Sequence, residues 1–158
     1  MPAPNQLPFS AVQMRLSRAI RKLLLNDSRL LQNDVAELAI AHRFAVFLSD
    51  QFPGRDVDVN YNRHGREIKY LILPIHCDGQ QRPHRRVFPD IVIHRRGDDS
   101  ANLLVIEIKK STNIEPRVCD LEKLRAFRRQ LRYQFGLFLE FETAVKSPRL
   151  LRERWFGR

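Results

Sequence analysis

Cysteine is scarce in this chain: Cys77 and Cys119 are the two among 158 residues. Two thiols cannot build a multi-bridge framework, and a chain of this length buries a core without staples. The expectation is a reduced, cytoplasmic protein. Long apolar runs are missing as well. None approaches the ~20 residues that a membrane-spanning helix needs, so no membrane partner is expected. Acidic residues are the third shortage, with 18 Asp and Glu against 28 Lys and Arg, a net charge of +10. A field of this sign attracts a polyanion. Arginine supplies most of it, and its planar fork grips phosphate at two points. Nucleic acid is therefore the expected partner.

What is present is enough for a folded domain. The hydrophobic share of 43% excludes disorder as the main state. Met1 to Pro8 holds three prolines and reads as a short loose tail, leaving residues 9–158 as one domain. No acid precedes Asp27, and Val12, Leu16, Ile20 and Leu23 share one side of the acid-free opening. A transit peptide has that character too, but nothing like a cleavage site follows, so a packed first helix is expected.

The spacing predicts helices over about Ser10–Leu25 and Asp34–Gln51, the second stopping before Pro53-Gly54. Val57, Val59 and Tyr61 alternate with Asp58, Asn60 and Asn62, as a strand with one wet face would. Gly65 marks a turn, Ile68–Leu73 a returning strand, and residues 75–88 a loop without period. Ile91–Ile93 and Leu103–Ile108 are β-branched strands, Asp120 is an N-cap for a helix to about Arg129, and Tyr133–Phe141 is another strand. Ser147-Pro148 opens a last helix by the cap-then-proline rule. This order suggests three α/β/α layers around a central mixed sheet.

One hairpin carries chemistry. Folding at Gly97–Ser100 pairs Arg96 with Ala101, Ile93 with Leu104 and Ile91 with Ile106, and the next pair outward is Asp90 with Glu107. Opposed residues have Cβ atoms about 4.5–5.5 Å apart, where two carboxylates without a cation repel. A Mg²⁺ ion, taking oxygens at about 2.0–2.1 Å, would turn the repulsion into a ligand pair. Lys109 shares a face with Glu107. Surface charge and a simple Glu107–Lys109 ion pair are the plainer accounts.

Pro89-Asp90, a hairpin, then Glu107-Ile108-Lys109 resembles the PD-(D/E)xK nuclease superfamily, with its restriction-endonuclease-like fold. Three further stretches look like small bacterial members: Glu37 on an early helix, Val57–Arg63, and Asp120–Leu124 before Tyr133–Leu139. The resemblance spans about Asp34 to Phe141. It implies a metal-dependent nuclease in which Asp90, Glu107 and the Ile108 carbonyl hold Mg²⁺ or Mn²⁺. Lys109 would orient the attacking water or offset charge on the phosphate. Glu37 would join the site as a further ligand. It sits in line with Ala41, Phe44 and Leu48, an otherwise apolar stripe where a carboxylate needs a partner, although Asp34-x-x-Glu37 also has capping-box spacing.

Arg82, Arg85 and Arg86 upstream of Asp90, and Lys123, Arg125, Arg128, Arg129 and Arg132 on the later helix, suit a phosphate backbone. Few aromatics lie in these stretches, so base stacking on single strands has little support and double-stranded DNA is the expected substrate. RNA, DNA junctions, binding without cutting, and a subunit role in a larger complex stay open, as does a homodimer. His42 and Arg43 read as packing or phosphate contacts. Asparagine at positions 60 and 62 is a poor ligand, which puts a second metal in doubt. His76, Cys77, His84 and Cys119 invite a zinc site, but their spacing matches no closed Cys/His arrangement.

Overall fold

The computed structural model describes residues 5–64, 67–68, 70–74, 77, 84–86 and 88–157, with residues 64, 68, 70 and 84–86 described by backbone alone. Helix α1 (Phe9–Asn26) buries Val12, Leu16, Ala19, Ile20 and Leu23, the single stripe an amphipathic helix presents. A short α2 (Ser28–Gln32) turns the chain into α3 (Glu37–Gln51), which buries Ile40, Ala41, Phe44, Ala45 and Leu48. Strands β1 (Asp56–Val59), β2 (Arg63–His64), β3 (Glu67–Ile68), β4 (Tyr70–Ile72), β5 (His84–Arg86), β6 (Ile91–His94) and β7 (Leu104–Lys110) follow. Helix α4 (Val118–Leu131) then leads to β8 (Phe135–Phe141) and β9 (Leu150–Phe156).

Five strands form one mixed sheet in the order β1-β6-β7-β8-β9. Its β7–β8 pair is parallel, with α4 as the crossover, and its other pairs are antiparallel. Strands β2–β3 and β4–β5 pair separately as small antiparallel ribbons. Side chains alternate across a strand, so the sheet has two faces. One carries Ile91, Ile93, Leu104, Ile106 and Ile108 into a core with α1 and α3. The other carries Val92, Val105 and Phe138 against Leu124, Phe127 and Leu131 of α4. The chain is a mixed α/β protein with helices on both sides of the sheet.

Several expectations give way. Residues after Pro148 form β9, not a helix: pairing with the open edge of β8 outweighs local propensity, and Trp155 is buried with its ring 5.0 Å from Phe9. His84–Arg86, expected in a loop, pair with β4. The end of the expected loose tail is anchored, since Leu7 exchanges two hydrogen bonds with the Gln134 amide at 3.3 and 2.7 Å. Arg96 does not face Ala101. The chain closes earlier, with a bridge between Arg95 and Asp98, a positive φ of 77° at Gly97 and a 3-10 turn over Asp99–Ala101. Arg117, not Asp120, stands at the N-cap of α4. The expected turn at Gly65 lies outside the described residues.

Candidate functional site

The ladder between β6 and β7 pairs Ile91 with Ile106 and Ile93 with Leu104. Continuing that register one step sets Asp90 against Glu107, on the face toward α4. Asp90 lies just beyond β6, and its backbone is fixed from the side. Asn60, at a left-handed φ of 52°, donates its N–H to the carbonyls of Pro89 and Asp90 at 3.1 and 3.3 Å. The Asp90 Oδ2 atom accepts the Ile108 N–H at 2.7 Å, so its carboxylate reaches across to β7.

Helix α4 covers this pair with charge. Lys123 Nζ lies 3.0 and 3.1 Å from the two carboxylate oxygens of Glu107 and donates to the Phe88 carbonyl at 3.0 Å. Lys109 Nζ reaches Asp120 at 2.9 Å, rather than pairing with Glu107. Asp120 and Lys123 stand one helical turn apart, so both ion pairs hang from the start of α4. Beside Lys109 in the parallel register is Glu140, held by Arg117 at 3.0 Å and by Arg152 at 3.5 Å.

Burial dominates the electrostatics. Glu107 is 3% exposed, and burial pushes its carboxyl up to about 8, against the pull of Lys123 and with the help of Asp90. Burial also raises Asp90, while Lys123 and the Ile108 N–H pull it back and Glu37 and Asp120 push it up. For Lys123 burial acts downward, but Glu107, Asp90 and Asp120 outweigh it and hold the ammonium above its ordinary value. These carboxylates demand a positive charge, which a proton, an ammonium or a metal ion can answer.

Glu37 begins α3 and lies within electrostatic reach of Asp90; its oxygens accept the Lys110 N–H at 2.7 Å and the Asn113 amide at 3.0 Å, two residues along β7 from the N–H that Asp90 accepts. The capping box does not form. Ala36 is the N-cap, while Asp34 accepts from Thr112 and Thr143 at 2.8 and 2.7 Å. Glu37 and Asp34 thus fasten α3 to the end of β7. Arg43 pairs with Asp27 at 2.9 Å, and His42 is exposed.

Among the expected phosphate contacts, Lys123 points into the site instead of outward. Arg125 pairs with Glu122 and lies 5.3 Å over the Phe156 ring. Arg128 donates to the Gln134 carbonyl at 3.3 Å and lies across Gly157, whose φ of 89° and missing Cβ make room for it. Arg129 and Arg132 are exposed. Arg82 lies outside the described residues, as do the side chains of Arg85 and Arg86.

The two cysteines, expected to be reduced, form a disulfide between residue 77 and the first turn of α4, with Cα atoms 5.1 Å apart. That removes cysteine usage as support for a reducing compartment. No helix among the described residues is long and apolar enough to cross a membrane.

By sequence Lys123 reads as a phosphate contact and Asp120 as an N-cap, and neither is set beside the carboxylates. A signal existed: they share the α4 stripe of Leu124, Phe127 and Leu131, and charge within an apolar stripe marks a buried partner. Comparisons with protein-family models, with curated proteins and with solved structures found no match.

Proposed function

We propose that the chain is a Mg²⁺- or Mn²⁺-dependent nuclease of the PD-(D/E)xK type, with a restriction-endonuclease-like fold, hydrolysing phosphodiester bonds in double-stranded DNA. The observation that carries this reading is the meeting of Asp90 and Glu107 on one face of the sheet, where an ammonium already fills the place of a cation. Hard divalent cations take carboxylate oxygens, so the donor set fits. Among the described residues no group of three His, Cys, Asp or Glu gathers, and a third ligand would be a main-chain carbonyl or water. Ile108 suits that role. Its N–H turns toward Asp90, and in extended backbone the carbonyl of the same residue points to the same flank.

When bound, the ion would polarise the scissile phosphate and lower the pKa of a water. Asp90 and Glu107 would hold it, and Lys109, carried by the same strand as Glu107, would orient the water or offset charge gathering on the phosphate. Asp120 keeps the Lys109 ammonium in place. In the reaction the water oxygen bonds to phosphorus and gives up a proton to solvent, one phosphorus–oxygen ester bond breaks, and the departing oxygen takes up a proton from solvent. The exposed Arg129 of α4 and Arg132 at its C-cap would position the duplex by its backbone without reading sequence.

The test incubates the protein with plasmid, linear duplex, single-stranded DNA and RNA, each with Mg²⁺, Mn²⁺ or chelator. Metal-dependent DNA cutting is expected, abolished in Asp90→Ala and Lys109→Ala while duplex binding survives. Cutting that persists in both variants would remove the site assignment. Salt-sensitive binding without cutting would replace the nuclease with a nucleic-acid-binding module.

A further inference from the structure

The basic residues of α4 differ in where they point, and Lys123 alone reaches Glu107. Its ammonium contacts both oxygens of that carboxylate and the Phe88 carbonyl, so one side chain ties the entry to β6 to the middle of β7. We propose that Lys123 is the resident cation of the site, stabilising the Asp90–Glu107 pair when no metal is bound and being displaced when a divalent cation enters. This inference rests on Asp90 and Glu107 being the metal ligands.

Three considerations lead there. Opposed carboxylates at cross-strand distance destabilise a sheet unless a cation joins them, and the chain supplies one from the helix above. Lysine suits a removable cation, since its ammonium is a compact charge on a flexible stem that can swing away without moving the helix. The third is repulsion: an ion bound to Glu107 would sit close to an ammonium that already shares both of its oxygens, and the two cations repel.

Displacement does more than make room. Lys109 is committed to Asp120 at 2.9 Å and stays, whereas Lys123 is released from the carboxylates. Metal loading thereby presents a new cation to the substrate phosphates, and the order of events is metal first and duplex second.

The experiment uses the wild-type chain and Mn²⁺ alone. Lys123 is labelled with an amine-reactive reagent and read by mass spectrometry, with Lys22 of α1 as the exposed reference. Labelling of Lys123 should rise about tenfold on Mn²⁺ addition while Lys22 is unchanged. In parallel, melting temperature is followed across a Mn²⁺ titration for wild type, Lys123→Met and Asp90→Asn. Lys123→Met should melt lower without metal and reach half its Mn²⁺ response at about tenfold lower metal concentration. A Mn²⁺ response that Asp90→Asn removes, with Lys123 labelling unchanged, would overturn the displacement and leave the metal site standing. No Mn²⁺ response in wild type or Lys123→Met would overturn both. Should Lys123→Met fail to fold, the wild-type labelling decides alone.

Discussion

Strands β6 and β7 present two unlike faces from one continuous stretch of backbone. Toward α1 and α3 the residues are Ile91, Ile93, Leu104, Ile106 and Ile108, all aliphatic and all buried. Toward α4 the same strands offer Val92, His94, Val105, Glu107 and Lys109, with Asp90 at the edge, and three of these are charged or ionisable yet almost wholly buried. Dispersion and the hydrophobic effect explain the first face and need no partner identity beyond shape. The second costs desolvation at every charge and is held by Lys123, Asp120 and Asp58, which must be in place one by one. The larger apolar core lies on the dry side, a smaller one sits under α4, and the features that suggest chemistry lie on the α4 side.

The largest test of that division is Phe44→Ala in α3. Phe44 is fully buried on the dry side with its ring 6.3 Å from that of Phe141. Removing it should cost about 3–5 kcal/mol in urea denaturation. The Mn²⁺ concentration giving half the thermal response should stay where it is in wild type. A change in that concentration would show that the two faces are coupled through the sheet.

The two faces were not equally legible in the sequence. The dry side follows from periodicity, which named the stripes of α1 and α3, and from the turn at Gly97–Ser100, which gave the β6–β7 register through Ile93–Leu104 and Ile91–Ile106. Extending that register was enough to oppose Asp90 and Glu107. The partners of the charged side are carried by tertiary distance, which no spacing records. Lys123 is 16 residues from Glu107, and residue 77 is 42 from its disulfide partner Cys119. Strand β9 escaped for another reason. Residues 151–154 alternate no hydrophobicity, because an edge strand leaves them exposed, and Ser147-Pro148 imitates a helix start.

A second test reads the charged side by acid. Asp58 on β1 accepts from His94 and from Arg96 Nε, each at 2.9 Å. Burial alone would raise its carboxyl, but the hydrogen bonds from Arg96 and His94 outweigh burial and hold it below its ordinary value of 3.8. An acid depressed in the folded state contributes stability that is present above its unfolded value and is lost as pH falls through the folded one. Wild-type stability should therefore decline as pH drops below 3.8, by at most about 1.4 kcal/mol per pH unit for this proton. Asp58→Asn should start less stable at neutral pH and show a shallower acid limb. Equal limbs in the two proteins would place the acid sensitivity elsewhere.

The smallest effect on stability should come from Arg129→Ala. Arg129 is exposed on α4, unlike Arg128, whose guanidinium is wedged against Gly157 and bonded to the Gln134 carbonyl. Truncating Arg129 should leave the denaturation midpoint within about 0.5 kcal/mol of wild type. If α4 tracks a phosphate backbone, duplex affinity should fall by a similar factor for unrelated sequences. The slope of log affinity against log salt should flatten by about 0.9, the loss of one phosphate contact. A drop confined to one sequence would mean that Arg129 reads a base edge, and an unchanged slope would move the duplex off this helix. In either case the dry face is untouched, because a solvated guanidinium on the outer side of α4 contributes nothing to the core beneath α1 and α3 that folds the sheet.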